Sequence, residues 1–156
     1  MKRFTVLAFF WITMGLCSQD LVVHDPVAIE QDGCYYIFST GHGISWFSSK
    51  DMKNWKKEEP VFKQAPSWTN AVVPGFKNHI WAPDIAFHNE MYYLYYSISS
   101  FGKNTSAIGL VTNRTLDSNS ENFKWEDQGV VVQSIPNRDL WNAIDPNLIM
   151  DEQNRP

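Results

Sequence analysis

The sequence is poor in cysteine, and this limits how the chain can be stabilised. It contains two cysteines in 156 residues, Cys17 and Cys34. Cys17 lies in an apolar N-terminal segment with the features of a cleaved leader, so only Cys34 is expected in the mature chain and a disulfide within that chain is excluded. Stability must come from burial of apolar side chains, and a mature chain of about 138 residues is long enough to form one core.

Positive charge is also scarce. The sequence has 13 Lys and Arg residues against 17 Asp and Glu residues. Loss of Lys2 and Arg3 with the leader would leave 11 basic residues and a net charge near −6. Binding to a phosphate backbone depends on clustered basic side chains, so no nucleic-acid partner is expected.

No apolar run is long enough for a membrane span. The longest extends from Phe4 to Cys17, whereas a span needs roughly 20 apolar residues. Because Lys2 and Arg3 precede it, this layout predicts a secretory signal peptide over residues 1–18 and a secreted or periplasmic protein. The alternative is a surface lipoprotein anchored through Cys17, although Leu16 fits a small-residue processing site poorly.

A sustained helical period is missing as well. Short alternating or aromatic runs recur instead, separated by turn signals such as Gln31-Asp32-Gly33 and His88-Asn89-Glu90. Runs of this kind predict strands. The predicted strands cover residues 27–30, 34–40, 44–49, 84–88, 91–99, 107–112 and 129–134.

The strands repeat with a longer period. An Asp opens each unit at positions 25, 84 and 145, spaced by 59 and 61 residues, and the fourth strand of the first two units opens with Trp55 or Trp125. Four strands per unit at this period indicate the blades of a β-propeller. Residues 19–156 are expected to be the N-terminal part of an all-β propeller domain, with two blades and the first strand of a third. A complete small β-sandwich is the alternative, but it leaves the third copy unexplained.

The repeated Asp residues are the candidates for chemistry. The innermost strand of each propeller blade lines the central channel, so Asp25, Asp84 and Asp145 are expected near one end of it. Asp84 is followed by Ile rather than Pro and is expected to brace its blade. Paired carboxylates facing one pocket indicate glycoside hydrolysis. The aromatic content of 15% favours the same chemistry, because aromatic rings can stack on sugar rings.

Four segments carry a resemblance to a known family. They are Val23-His24-Asp25-Pro26, HIWAPDI at 79–85, YYSISSFGKNTSAIGL at 95–110 and WNAIDPN at 141–147. They resemble glycoside hydrolase family 43, and most closely its endo-acting arabinan 1,5-alpha-L-arabinosidases. HDP and WAPD alone are typical of the wider group of furanosidase-type propellers, whereas SSFGKNTSAIGL with WNAIDPN indicates arabinanases. The resemblance covers essentially all of the mature chain and implies a catalytic domain with five blades.

The resemblance also implies roles for individual residues. It implies hydrolysis of alpha-1,5 links in arabinan with inversion and without an organic cofactor. Asp25 matches the general base that activates water, and Asp145 matches a second Asp that tunes the pKa of the acid and helps to orient it. Trp81 and Phe101 match aromatic residues of the arabinose subsites. The other matched pocket positions are His24, Asn142, Ile144 and, on the adjoining loop, Asn104.

One part of the family pattern has no match in this sequence. The general acid of the family is a Glu in a later blade, and a His associated with bound calcium or another ion also lies in the later half. No Glu of residues 19–156 matches that acid, and no metal ligand is expected here. This segment alone is therefore expected to be inactive, whereas the complete protein is expected to act on arabinan or arabino-oligosaccharides as a monomer.

Two alternatives for the function stay open. The first is an exo-acting arabinofuranosidase or beta-xylosidase of the same family, because the extra length between Thr112 and Trp125 can reshape the groove either way. The second is a carbohydrate-binding propeller without catalysis. The presence of both Asp25 and Asp145 argues against this second alternative.

Overall fold

The computed structural model describes residues 20–153 and shows an all-β fold in this range. The predicted signal peptide, including Cys17, lies outside the described residues. Within them, helix is limited to the single turn α1, Thr69–Val72, and no helix has the length and apolar character needed to cross a bilayer. The strands in chain order are β1 (Val27–Gln31), β2 (Cys34–Ser39), β3 (Gly41–His42), β4 (Ser45–Ser49), β5 (Lys56–Lys57), β6 (His79–His88), β7 (Met91–Ile98), β8 (Ser106–Asn113) and β9 (Glu126–Ser134).

Two sheets are formed, and each contains a four-strand antiparallel meander. The first sheet has the order β1-β2-β4-β5, and the second has the order β3-β6-β7-β8-β9. All seven predicted strands are confirmed, with ends that differ by a few residues. The meanders match the arrangement predicted for two successive propeller blades.

The two predicted hairpin turns are also confirmed. Asp32 and Gly33 connect β1 to β2 with φ angles of 51° and 75°, and Asn89 and Glu90 connect β6 to β7 with φ angles of 46° and 59°. Two central residues with positive φ define the turn that suits the right-handed twist of paired strands. These turns fix the register of both hairpins.

Strand β3 links the two sheets. It follows β2 of the first sheet, yet it pairs with β6 of the second, with Gly41 opposite Ile80 and His42 opposite His79. The chain therefore passes from one sheet to the other at Thr40 and then returns to the first sheet through β4. This crossing positions the candidate site described below.

An aromatic cluster forms the core between the sheets. Trp46 of β4 is 1% exposed and stacks on Phe38 of β2, with ring centroids 5.3 Å apart and planes 4° from parallel. Phe123 also stacks on Trp46, and Trp125 contacts it edge-on. Aromatic pairs in these geometries add stabilisation beyond the buried area. The cluster thus fixes one sheet against the other.

The strand expected at the start of a third repeat is not formed in residues 20–153, so that part of the prediction is wrong for this structure. A strand requires a neighbour that completes its ladder, and none runs beside residues 144–149 in the described range. The segment is held by side chains instead. The Asp84 carboxylate accepts hydrogen bonds from the Leu148 backbone N–H at 2.8 Å and from Asn147 Nδ2 at 3.5 Å.

Alkaline pH should weaken the fold through Tyr96. This side chain is fully buried, and its hydroxyl donates a hydrogen bond of 3.2 Å to Asp127. Burial, reinforced by the negative charge of Asp127, raises the pKa of Tyr96 far above its ordinary value. Above about pH 10 the unfolded chain loses a proton that the folded chain retains, so the free energy of unfolding should decrease as the pH rises.

Urea unfolding between pH 8 and pH 11 measures this effect. Below about pH 10 the tyrosine is neutral in both states, and its contribution should not change with pH. The Tyr96→Phe variant should show a flatter decline above that pH, although the other tyrosines with raised pKa values, Tyr36, Tyr92 and Tyr95, leave some of the decline in place. An identical decline in Tyr96→Phe would rule out this role for Tyr96.

Candidate active site

Two Asp-Pro segments share an unusual backbone geometry. Asp25, just before β1, has a φ angle of 48°, and Asp145 has a φ angle of 54°. Side chains other than glycine rarely adopt positive φ, and Asp and Asn tolerate it best because their short polar side chains bond locally. The repeated sequence pattern therefore corresponds to a repeated local conformation.

The Asp25 carboxylate is held through one of its oxygens. Its Oδ2 accepts a hydrogen bond from Thr40 Oγ1 at 2.8 Å and lies 2.7 Å from Nδ1 of His24. The Thr40 backbone N–H donates to the His24 carbonyl at 2.9 Å, which fixes the loop against the end of β2. The Asp25 side chain is still 41% exposed. Within residues 20–153, no protein group hydrogen-bonds its Oδ1.

The Asp145 segment is held through its backbone. Its N–H donates a hydrogen bond of 2.9 Å to Oγ of Ser97, a fully buried residue of β7. Two residues earlier, the Ala143 N–H donates to Oγ of Ser106 and Ser134 at 2.9 and 2.7 Å. The Asp145 side chain, in contrast, belongs to an exposed residue. This anchoring leaves the carboxylate available for a ligand.

A bend in β6 lies between these two Asp segments. The pairing of β6 with β7 is interrupted between Trp81 and Asp84, and Ala82 has a φ angle of 38°. On one side of the bend, the Ala82 N–H donates to Thr40 Oγ1 at 2.8 Å, and Thr40 bonds Asp25. On the other side, Trp81 pairs with Ser97, which bonds the Asp145 segment. A short chain of contacts thus connects the two carboxylate-bearing loops.

An aromatic groove adjoins the bend. The rings of Trp81 and Phe101 are 4.7 Å apart, and Trp81 Nε1 donates to His79 Nδ1 at 3.0 Å. Phe101 is 88% exposed, an exposure that interior packing does not explain. The groove has a volume of about 240 Å³, and its walls are residues 73–77, His79, Trp81 and residues 99–101. Exposed rings beside polar groups are suited to stacking on sugars.

The remaining predicted site residues, Asn104, Asn142 and Ile144, lie in neighbouring loops. Asn104 donates through Nδ2 to the Asp139 carbonyl, and its buried Oδ1 has no partner in the described structure. Asn142 accepts a hydrogen bond from Ser106 at 3.3 Å, and the Ile144 N–H donates to the Asn142 carbonyl at 3.0 Å. Asn104 therefore connects its loop to Asp139, and Asn142 lies in the segment that leads to Asp145.

Sequence reasoning missed Thr40 and Ser97. Both lie in aromatic runs that predict strands. Thr40 lies outside the four segments that carry the family resemblance, whereas Ser97 lies in the segment 95–110 but has no role implied by it. Their one distinguishing signal is a small hydroxyl side chain next to the last residue of a mostly apolar strand. Thr40 follows Ser39 at the end of β2, and Ser97 precedes Ile98 at the end of β7. Such a group must find a hydrogen-bond partner if it is buried, but its partner is set by tertiary structure.

A cavity larger than the aromatic groove lies away from these residues. It has a volume of about 680 Å³ and lies between the first sheet and residues 115–120. None of the predicted site residues lines it. Glu58, one of its lining residues, is already engaged by Ser48 and Lys56 at 2.6 and 2.9 Å. The smaller aromatic groove is the better candidate, because Trp81 in its wall lies at the β6 bend that connects the Asp25 and Asp145 loops.

The family of the chain follows from its match to a family model. The model described as glycosyl hydrolases family 43 matches residues 19–156. The chain belongs to glycosyl hydrolase family 43. Because this match spans both Asp-Pro segments and the aromatic groove, it confirms the family inferred from the four motifs.

The names of two curated relatives indicate different modes of action, one exo and one endo. The chain is 47% identical over 148 residues to the extracellular exo-alpha-(1->5)-L-arabinofuranosidase ArbA of Cellvibrio japonicus, covering 95% of this chain and 43% of the relative. It is 39% identical over 153 residues to the extracellular endo-alpha-(1->5)-L-arabinanase 1 of Bacillus subtilis, covering 96% and 44%. The chain thus spans less than half the length of these relatives.

Two solved structures share this fold. The chain is similar to a Cellvibrio cellulosa alpha-L-arabinanase complexed with arabinohexaose, with a TM-score of 0.84 and 49% identity over 87% of this chain and 43% of that one. It is also similar to an exo-1,5-alpha-L-arabinanase from a bovine ruminal metagenomic library, with a TM-score of 0.83 and 50% identity over 93% and 48%.

Proposed function

We propose that this family 43 chain forms part of a glycosidase that hydrolyses arabinan. The contact chain from Asp25 through Thr40 and the β6 bend to Ser97 and the Asp145 segment is the observation that carries this proposal. It connects the two loops whose carboxylates match the family pattern, next to an aromatic groove. A shared site for both carboxylates is what glycoside hydrolysis needs.

Asp25 acts as the general base in this proposal. Its Oδ2 is occupied by Thr40 and His24, whereas its Oδ1 has no protein partner in the described residues. A water molecule gives its proton to Oδ1 while its oxygen bonds to the anomeric carbon and the glycosidic C–O bond breaks. A general acid protonates the leaving oxygen, and the configuration inverts. The resemblance assigns that acid to a Glu outside the positions matched here.

Asp145 supports the acid rather than attacking the sugar. A carboxylate near the acid disfavours a second negative charge and so keeps the acid protonated. The hydrogen bond from the Asp145 N–H to Ser97 Oγ fixes the backbone that carries this carboxylate. His24, Trp81, Phe101, Asn104, Asn142 and Ile144 are proposed to line the subsites.

The substrate is proposed to be arabinan or an arabino-oligosaccharide. The relatives named above are described as arabinanases or arabinofuranosidases, and one solved structure contains arabinohexaose. The endo mode stays the leading proposal from the motifs. Exo action is the second candidate, because a relative named as an exo-acting enzyme shares 47% identity against 39% for the endo-acting one from Bacillus subtilis.

The proposal includes export, a monomeric whole protein of five blades and no organic cofactor. Both curated relatives named above are described as extracellular. For the calcium implied by the resemblance, residues 20–153 offer no group of three or more His, Cys, Asp or Glu side chains arranged as ligands. No step is therefore assigned to a metal.

Hydrolysis of linear arabinan by the whole protein that contains residues 1–156 tests this proposal. We expect arabino-oligosaccharides of several lengths to appear early, with the anomeric configuration inverted in the first NMR spectra. Release of one small product from chain ends would favour the exo candidate. Retained configuration would overturn the assignment of Asp25 as base, and intact arabinan would overturn the function.

A further inference from the structure

Thr40 occupies a position that the proposed catalytic roles do not use. It lies between β2 of the first sheet and β3 of the second, where the chain crosses between the sheets. Its hydroxyl contacts Asp25 in the loop before β1 and Ala82 in the bend of β6. One side chain therefore joins the candidate base to both sheets.

The direction of both Thr40 hydrogen bonds is fixed by chemistry. A hydroxyl has one proton to donate and two lone pairs that accept. The Ala82 N–H can only donate, so Thr40 Oγ1 accepts at 2.8 Å and its single proton remains for Asp25 Oδ2, also at 2.8 Å. The Thr40 proton thus has one defined acceptor, the Asp25 carboxylate.

The two oxygens of the Asp25 carboxylate have different surroundings. Oδ2 is bonded by Thr40 and His24, and Oδ1 has no protein partner among residues 20–153. Rotation of the carboxyl group would break both bonds to Oδ2. The same Thr40 oxygen also fixes the bend beside Trp81, which is a proposed subsite residue. The same hydroxyl therefore contacts both the candidate base and the backbone next to Trp81.

We propose that Thr40 is a positioning residue that holds Asp25 Oδ1 toward the attacking water and sets its distance from the aromatic groove. This inference rests on the proposed function, because it assumes that Asp25 is the general base. Misplacement of a catalytic group by about 1 Å can cost on the order of 100-fold in rate. Loss of the Thr40 hydroxyl should therefore affect turnover more than substrate binding.

The test compares Thr40→Val with Thr40→Ser in the whole protein. Valine keeps the branched shape of threonine but removes the hydroxyl, whereas serine keeps the hydroxyl. On linear arabinan, Thr40→Val should lower kcat by about 10- to 100-fold with a smaller change in KM, and Thr40→Ser should restore most of it. An unchanged kcat in Thr40→Val, or an equal loss in both variants, would overturn the inference.

Two controls separate positioning from a general loss of stability. Thr115→Val removes a hydroxyl that bonds Gln31 at 3.0 Å outside the proposed site, so it should lower Tm without lowering kcat. In an Asp25→Asn background, Thr40→Val should lower the residual rate much less than it lowers kcat in the wild-type background, because Thr40 acts mainly through Asp25. An equal fold-loss in both backgrounds would show a role independent of the base and overturn the inference.

Failure of this inference can be distinguished from failure of the proposed function. If Asp25→Asn retains normal turnover, the proposed general base is wrong, and the positioning role of Thr40 is then wrong as well. If Asp25→Asn loses turnover but Thr40→Val does not, only the positioning role is wrong.

Discussion

Asp25→Asn in the whole protein should lower kcat on linear arabinan by about 10²- to 10⁴-fold, the usual contribution of general acid or base catalysis. An amide cannot take the proton of the attacking water, but it keeps the size and shape of the carboxylate. The amide oxygen can still accept the Thr40 hydrogen bond. KM should change little, because the aromatic groove is left intact. Initial rates at several arabinan concentrations give both constants.

Asn is the suitable replacement because of the backbone at this position. Asp25 has a φ angle of 48°, which Asn tolerates and which Ala would adopt only with strain. Asp32→Asn is a matched control, since it makes the same change at a φ angle of 51° in an exposed turn. This control should keep its kcat. Near-normal turnover by Asp25→Asn would remove Asp25 from the mechanism.

The strands could be predicted because they depend on local sequence. Apolar side chains that alternate along the chain indicate a strand, and turn residues such as Asp32-Gly33 indicate where it ends. Both signals lie within a few residues of the strand, and both sheets follow them. Strand β3 could not be predicted in the same way. It consists of only Gly41 and His42, which is too short to show an alternating pattern. The pairing of these residues with Ile80 and His79 is decided by how the sheets pack.

Some residues of the candidate site could be predicted from local motifs, whereas others depend on tertiary contacts. The Asp-Pro motifs predict Asp25 and Asp145 as site residues, and the aromatic motif predicts Trp81, because these residue patterns are visible in the chain itself. The groups that position them were not identifiable. Thr40 and Ser97 contact their partners across 15 and 48 residues of sequence, and nothing in the strand pattern of β2 or β7 indicates those partners.

The strand expected at residues 144–149 shows the limit of inference from repeats. Similarity to the first two units predicts a third opening strand, but pairing depends on a neighbour rather than on the segment itself. In the described residues, no strand pairs with this segment. Its hydrogen bonds go to the Asp84 carboxylate instead, which accepts from Leu148 and Asn147. The repeat pattern located the segment and its Asp, while its secondary structure was decided by what lies beside it.

Trp46→Ala should lower the free energy of unfolding by about 3 to 5 kcal/mol, the usual cost of removing a large buried aromatic side chain. Trp46 is 1% exposed and contacts Tyr36 and Phe38 of its own sheet as well as Phe123 and Trp125. Alanine would leave a cavity between the two sheets. Chemical denaturation followed by circular dichroism gives the free energy.

Trp46→Phe separates the volume of this side chain from its contact with Phe38. Phenylalanine keeps an aromatic ring near Phe38, so it should cost clearly less than alanine. Phe87→Ala is a control for aromatic loss at the surface, since Phe87 is 54% exposed, and it should also cost less. Equal losses in Trp46→Ala and Phe87→Ala would contradict a core centred on Trp46. Because Thr40 bridges the sheets that this core holds together, a loose core should also weaken the placement of Asp25 against the groove.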